Sequence, residues 1–191
     1  MNSKKLAIVS LVVIIFVFVG AFYLFRSNKN GNLEQFNQQR LDDLRKNNPG
    51  LLDKLTKNIQ VQSELVKKDP KNFDAWMELG VSYNALGDYK KAEEAYYKAA
   101  AINEKNSVIW NNLGELYKQK ADYKKAEEAF IKLVEINGTE AESYLKLAEL
   151  YAAGYIGTIE DAKRILSQGI LKTNSEGLKV ILDKLNKEGK I

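Results

Sequence analysis

Apolar residues recur at spacings of three and four over most of the chain, which is the period of an amphipathic helix. Trp76, Leu79 and Tyr83 form one such run, and Ala92 and Tyr96 belong to the next. Short breaks rich in Gly, Asp or Asn separate the runs. The pattern therefore predicts an all-α protein built from helices that are joined in pairs by tight turns.

The helical pattern repeats without a gap, so that 73–106 and 107–140 are two copies of one unit with the same length. Both copies read W-x2-L-G-x2-Y and then A-x3-aromatic, beginning at Trp76 and Trp110. The sequence DYKKAEEA starts the second helix of each copy. This pattern resembles the tetratricopeptide repeat (TPR) family. The resemblance implies an α-solenoid of antiparallel helix hairpins, whose first helices line a concave protein-binding groove.

Weaker similarity extends the array in both directions. Residues 141–174 resemble a third repeat with a two-residue insertion in its turn, where Thr158 and Asp161 fit a capping box. Residues 175–191 fit a C-terminal cap helix, which a solenoid end requires. On the other side, 51–72 resemble a degenerate half-repeat, and 27–50 a polar linker that contains a helix.

The apolar run Leu6–Phe25, within residues 1–26, carries no charge. As a helix of about 20 residues it would reach ~30 Å, the thickness of a bilayer core. The sequence thus predicts an N-terminal transmembrane signal anchor. A cleaved signal peptide with a site near Val19-Gly20-Ala21 is the alternative, but the apolar run is longer than the ~7 to 15 residues typical of such peptides.

The charges that flank this run favour one orientation in the cell membrane. Lys4 and Lys5 precede it, and Arg26 and Lys29 follow it. By the positive-inside rule the amino terminus lies inside, and the repeats of this single-pass protein face the extracytoplasmic side.

Composition restricts the chemistry of the remaining chain. The net charge is +4, but three basic residues of 1–26 leave 26 basic against 25 acidic residues elsewhere. Such balance lacks the positive field of a nucleic-acid-binding protein. The chain has no Cys and no His, which removes thiolate nucleophiles, imidazole bases and the common zinc ligands. We therefore expect no enzymatic activity, no cofactor and no metal.

Geometry carried over from the resemblance places a set of side chains in the concave groove. They are Asp74, Met77, Val81, Asn84, Val108, Asn111, Asn112, Glu115, Lys118, Glu142, Leu145 and Glu149. The acidic members outnumber Lys118, so the groove should prefer a neutral to basic, partly apolar segment. The repeat aromatics Trp76, Tyr83, Trp110 and Tyr117 are expected in the core instead.

Some TPR co-chaperones hold a carboxylate with a clamp of Lys, Asn and Arg on their first helices. The matching positions here are Met77, Val81, Asn112, Glu142 and Lys146. Only Asn112 and Lys146 resemble the clamp, and Glu142 would repel an acidic ligand. The sequence therefore argues against this class of partner.

Together these features predict a non-catalytic, membrane-tethered scaffold or adaptor that binds a protein or peptide partner. A chaperone-like role in envelope protein assembly or export fits this description. Two alternatives stay open at this stage: a structural solenoid that associates with itself, and a secreted soluble TPR protein after signal cleavage. The sequence leaves the partner and the oligomeric state undetermined, because fold alone does not select among TPR functions.

Overall fold

A computed structural model describes residues 38–188, and this part of the chain is all-α. Helical residues 38–47 come first, and the array that follows belongs to the compact unit that begins near Gly50. The helices of the array are α1 (Pro49–Lys68), α2 (Phe73–Leu86), α3 (Tyr89–Ile102), α4 (Ser107–Gln119), α5 (Tyr123–Ile136), α6 (Ala141–Ala152), α7 (Ile159–Thr173) and α8 (Glu176–Glu188).

Helices α2/α3, α4/α5 and α6/α7 form three hairpins, and each hairpin packs on the next through α3 with α4 and α5 with α6. Small residues in the second helices make this close packing feasible. Ala92, Ala126 and Ala162 are fully buried at equivalent positions. The predicted solenoid of stacked antiparallel hairpins is thus the observed arrangement.

The second helices begin at turns that the repeat largely duplicates. Asp88 caps α3, because its carboxylate accepts a hydrogen bond from the Lys91 backbone N–H at 3.2 Å. Asp122 stands at the same repeat position before α5, but its side chain makes no such bond. The backbone is similar at both residues (φ −78°, ψ 68° and φ −94°, ψ 68°). The second repeat therefore keeps a similar backbone at this turn without the side-chain cap.

The repeat tryptophans connect each hairpin to the turn before it. The indole of Trp76 donates to the Pro70 carbonyl at 2.9 Å, and that of Trp110 donates to the Glu104 carbonyl at 2.8 Å. Both indoles are only half-buried, as is Tyr83, whereas Tyr117 is buried as expected. Trp76 and Tyr83 nevertheless pack against the buried cluster of Val66, Ala75, Leu79 and Ala95, which confirms their expected place in the core. The indoles lie at its rim, where each N–H finds the hydrogen-bond partner that it needs.

The longer turn of the third hairpin is well ordered by its own side chains. Thr158 Oγ1 accepts from the Asp161 backbone N–H at 3.2 Å, and the Asp161 carboxylate accepts from the Thr158 N–H at 3.0 Å. This confirms the predicted capping box. Tyr155 in the same turn stacks on Tyr123, with ring centroids 4.3 Å apart.

Helix α8 covers the end of the third hairpin and packs against α6 and α7. Leu178 and Leu185 are buried in that contact, and Val180 points to solvent. The helix therefore has one apolar and one polar face, as a solenoid end requires.

Within residues 38–188, no helix combines the length and the apolar character needed to cross a bilayer. The predicted anchor at Leu6–Phe25 lies outside the described residues.

Candidate protein-binding groove

A cavity of about 420 Å³ opens between the first helices α4 and α6, where the second helix α5 ends. Its lining combines apolar, amide, hydroxyl and carboxylate side chains: Val108, Leu133, Asn111, Asn137, Ser107, Ser143, Glu140 and Glu142. Such a mixture suits the recognition of a polypeptide, which presents backbone amides together with side chains.

Three of the predicted groove residues meet in this cavity, namely Val108, Asn111 and Glu142. The periodicity of α4 explains the first two, because residues three apart share one helix face. Val108 is 53% exposed, which is unusual for a branched apolar side chain, and it gives the cavity a solvent-accessible apolar surface. Neither Glu140 nor Glu142 forms an ion pair with another described residue, so both carboxylates present their charge to the cavity.

Sequence reasoning missed Ser107 and Ser143 of the first helices, and it also missed two polar residues of the cavity outside any helix, Asn137 and Glu140. Both belong to the turn between α5 and α6 rather than to a first helix. They stand one full repeat after Asn103 and Asn106, so the repeat alignment shows that polar residues recur at these two turn positions. Glu140 precedes α6 without capping it through its side chain, which leaves this carboxylate available to a ligand.

A second group of predicted residues forms an ion-pair chain across the first helices. Glu115 on α4 accepts from Lys146 Nζ of α6 at 3.0 Å, and Lys118 Nζ lies 3.3 Å from the other Glu115 oxygen. Burial lowers the pKa of Lys146, but the hydrogen bond to Glu115 and the charges of Glu115, Glu149 and Glu142 outweigh burial and raise it. Lys146 therefore stays charged and neutralises part of the acidic groove that the sequence predicted.

The remaining predicted groove residues do not gather at one site. Val81 lines a different cavity, which lies between α1 and α2. Asp74 is exposed in the first turn of α2. The side-chain oxygen of Asn84 is buried and has no hydrogen-bond partner among the described residues. The others, Met77, Asn112, Leu145 and Glu149, are half-buried along the first helices.

One polar cluster joins the first and second hairpins. Glu93 of α3 accepts from Tyr117 Oη of α4 at 2.8 Å and from Lys120, and the Tyr97 hydroxyl lies 3.0 Å from that of Tyr117. Burial raises the pKa of Tyr117 well above its usual value, and the hydrogen bonds to Tyr97 and Glu93 raise it further.

The next junction repeats the same contact, since Tyr151 donates to Glu127 at 2.7 Å. Tyr151 and Glu127 each stand one full repeat after Tyr117 and Glu93. These hydrogen bonds link each hairpin to the next.

The described residues offer the groove hydrogen-bonding and charged groups rather than metal chemistry. No group of three or more acidic, Cys or His side chains among them is placed to hold a metal ion. The groove provides the apolar side chain of Val108, the amides of Asn111 and Asn137, the hydroxyl of Ser107 and two carboxylates. The Ser143 hydroxyl is already donated to the Asn137 carbonyl.

Comparison with protein families identifies two repeats in the chain. Residues 73–106 match one tetratricopeptide repeat model, and residues 108–140 match another. No curated protein matches the sequence significantly.

Several solved structures share the fold. A crystal structure of MamA superposes with a TM-score of 0.53 at 22% identity, covering 61% of this chain and 67% of that one. A structure from a study of Pseudomonas aeruginosa pilF gives 0.57 at 18% identity, covering 85% and 71%. Another MamA crystal structure gives 0.55 at 18%, covering 93% and 96%. At these identities the likeness establishes the fold alone.

The repeat models, the duplicated hairpins and the structural neighbours agree with one another. Tetratricopeptide repeats generally act as non-catalytic modules that bind protein or peptide partners, which makes the array a protein-interaction scaffold. Residues 73–140 of this chain therefore carry two tetratricopeptide repeats.

Proposed function

We propose that this protein is a membrane-tethered adaptor that holds a segment of a partner protein in the groove between α4 and α6. The cavity of about 420 Å³ at that place is the observation that carries the proposal. It is open to solvent and lined by groups that complement a polypeptide. The adaptor itself performs no chemistry on its partner.

The lining defines the kind of segment that fits. Asn111 and Asn137 supply amide groups that pair with a peptide backbone, and the exposed Val108 supplies an apolar contact. Glu140 and Glu142 attract a Lys or Arg side chain. A neutral to basic, partly apolar segment therefore matches the groove best, as the sequence indicated.

Tethering rests on the N-terminal run Leu6–Phe25, whose length matches a bilayer core. Lys4 and Lys5 before the run favour an amino terminus inside the cell and an extracytoplasmic array. In that position the protein would gather envelope or membrane proteins, or assist exported chains during assembly.

Crosslinking and pull-down from intact cells test the groove. Asn111→Arg and Val108→Arg place a long cation among the groove side chains, and we expect both variants to lose the partners that the wild type captures. Ile131→Arg is the matched control, because Ile131 is an exposed apolar residue of α5 outside the cavity. Circular dichroism checks that all variants fold. Identical partners for wild type and both groove variants would contradict the proposal.

A cysteine-labelling assay tests the topology separately. The chain has no Cys, so Lys187→Cys introduces a single exposed thiol near the end of α8. A membrane-impermeant maleimide should label this thiol in intact cells, with the protein in the membrane fraction. Labelling only after lysis would show that the array faces the cytoplasm. Recovery of all the protein in the soluble fraction would show that it has no membrane tether.

A further inference from the structure

Helix α1 aligns with the second helices α3 and α5 when the repeat is extended towards the amino terminus. Its last residue, Lys68, stands one full repeat before Ile102, the last residue of α3. The turn after α1 receives the Trp76 indole at Pro70, as the turn after α3 receives that of Trp110. Helix α1 therefore occupies the place of the second helix in a hairpin that would precede α2.

The face of α1 that a first helix would cover carries exposed apolar residues. Ala95 and Ala99 on α3 are 2% and 0% exposed. Val61 and Leu65 stand at the same repeat positions of α1, and they are 47% and 40% exposed.

The positions that form the turn between the two helices of a complete hairpin have a different conformation in α1. In the complete hairpin, the chain turns back between α2 and α3 at Gly87 and Asp88. At the matching positions, Asp53 and Lys54, α1 continues as a helix. The apolar face of α1 therefore corresponds to a face that a first helix covers in the complete hairpins, but no turn at these positions brings such a helix onto it.

A cavity of about 480 Å³ lies between this face and α2. Val61 and Leu55 of α1 line one side, and Val81 of α2, which is 45% exposed, lines the other. Lys54 and Lys57 complete its rim, and neither forms an ion pair with another described residue.

The carboxylate of this cavity is already engaged. Asn58 of α1 donates to Glu78 Oε2 at 3.2 Å and to Ser82 Oγ at 2.9 Å, which joins α1 to α2. The neutral amide of Asn58 does not cancel the charge of Glu78, so Lys54 and Lys57 (+2) against Glu78 (−1) give the cavity lining a net charge of +1.

We propose that the α1–α2 face, formed by Leu55, Val61, Leu65 and Val81, binds an amphipathic α-helix of a partner protein that carries acidic residues beside its apolar stripe. We expect a helix at this place because a first helix covers the equivalent face in every complete repeat. We expect acidic residues on that helix because the ammonium groups of Lys54 and Lys57 attract carboxylates. This surface is separate from the cavity between α4 and α6, so the face adds a second interaction to the proposed adaptor.

Binding of a designed helix to the full-length chain tests the proposal. The probe is a stapled peptide with the sequence of residues 72–87, which form the first helix of the first complete repeat and carry Asp74 and Glu78. Stapling is needed because an isolated helix of this length is marginal in water. We expect saturable binding in a mild detergent, measured by fluorescence anisotropy. A peptide with Asp74→Lys and Glu78→Lys should bind at least about threefold more weakly, with a difference that shrinks at high salt.

Variants of the face locate the binding site. Val61→Asp and Leu65→Asp place a carboxylate in the apolar contact, and each should weaken probe binding at least about tenfold. Ile131→Asp on α5 is the matched control and should bind the probe as the wild type does. Equal binding by all variants, or no binding by the wild type, would overturn the proposal while leaving the groove experiment between α4 and α6 unaffected.

Two further measurements distinguish other occupants of the face. With no native Cys, Val61→Cys and Ile131→Cys each give one thiol, and similar reaction rates with a maleimide are expected if the face is open. Protection of Val61→Cys alone would mean that the chain covers its own face. Sedimentation velocity should give a monomer, and a concentration-dependent dimer that Val61→Asp abolishes would assign the face to a second copy instead.

Discussion

The repeat glycines Gly80 and Gly114 each lie directly against one aromatic ring. A Cβ atom built on Gly80 would stand 2.3 Å from the Tyr96 ring, and one on Gly114 would stand 2.3 Å from the Phe130 ring. Both rings are fully buried, so neither has space to move aside. Glycine is therefore required at this contact between the two helices of a hairpin, in spite of its low helix propensity.

Substitution Gly80→Ala should lower the free energy of unfolding by about 1 to 2 kcal/mol, because overpacking outweighs the gain in helix propensity. Gly177→Ala is the control, since a Cβ on this helical glycine of α8 meets only Ser175 Oγ at 3.5 Å. That variant should be neutral or more stable by up to about 1 kcal/mol. Urea unfolding followed by circular dichroism measures both, and a stabilised Gly80→Ala would refute the packing argument.

Glu93 is the residue on which the first inter-repeat junction depends. Partial burial raises the pKa of its carboxyl, but hydrogen bonds from Lys120 and Tyr117 and the charges of Lys120 and Lys125 outweigh burial. The pKa in the folded protein is therefore lower than the ordinary value of 4.5. A lowered pKa means that the folded state favours the ionised carboxylate, which links the stability of the junction to pH.

Because the folded-state pKa is lowered, the contribution of Glu93 is complete above the unfolded-state value and is lost as pH falls through the folded-state value. At pH 7, Glu93→Gln should cost about 1 to 3 kcal/mol, since it leaves the charges of Lys120 and Lys125 without their partner. The difference from wild type should shrink below about pH 4. Urea titrations at several pH values measure it. The exposed neighbour Glu94 provides the control, and an equal loss in Glu94→Gln would contradict this role.

At the scale of the element, the turns between paired helices place different residues in the same left-handed backbone conformation. Gly87 ends α2 at φ 82°, and Ala121 takes the matching place after α4 at φ 53°. Glycine adopts this left-handed region readily, whereas a residue with a Cβ is strained there. The second repeat therefore keeps the turn of the first at a cost in backbone strain.

Replacing Ala121 with Gly should raise the free energy of unfolding by about 0.5 to 1 kcal/mol, because strain in the folded state outweighs the added entropy of the unfolded chain. The reciprocal change, Gly87→Ala, should lower it by about 1 kcal/mol. Thermal unfolding of the two variants beside the wild type gives both signs. A destabilised Ala121→Gly would show that the left-handed turn is not strained.

At the scale of the whole molecule, each hairpin contacts mainly its neighbours, and α8 closes the array. In such a solenoid, stability is a sum of local terms and interface terms. A defect at one end should therefore loosen that end first. The cap helix is the place to test this, because Leu178 is buried against the last hairpin.

Truncation of Leu178 to Ala should cost about 2 to 4 kcal/mol at the cap. Amide hydrogen exchange should accelerate in α7 and α8, while α2 and α3 keep their protection. Val180→Ala is the control, because Val180 lies on the exposed face of the same helix. Uniform acceleration through all hairpins would show that the array opens as one cooperative unit instead.

Only the tertiary structure decided how residues from different elements meet. Asn137 and Glu140 of a turn join Val108 in the groove cavity, whereas Val81 lies in the cavity beside α1. Likewise, Glu115 of α4 finds Lys146 of α6, which removes part of the acidic charge that a count of groove residues predicted. Such contacts depend on the angle and spacing between successive hairpins, and the period within one helix does not encode these quantities.

The sequence by itself determined the helices, their pairing and the tetratricopeptide repeat motif. Spacings of three and four define a helix, a repeat without gaps duplicates its hairpin, and the small or aromatic residues at fixed places set the local contacts. These are short-range relations, so they can be read along the chain. The positions of the two cavities and the exposure of Val61 and Leu65 on α1 depend on which helices lie beside one another, and those neighbours exist only in the folded array.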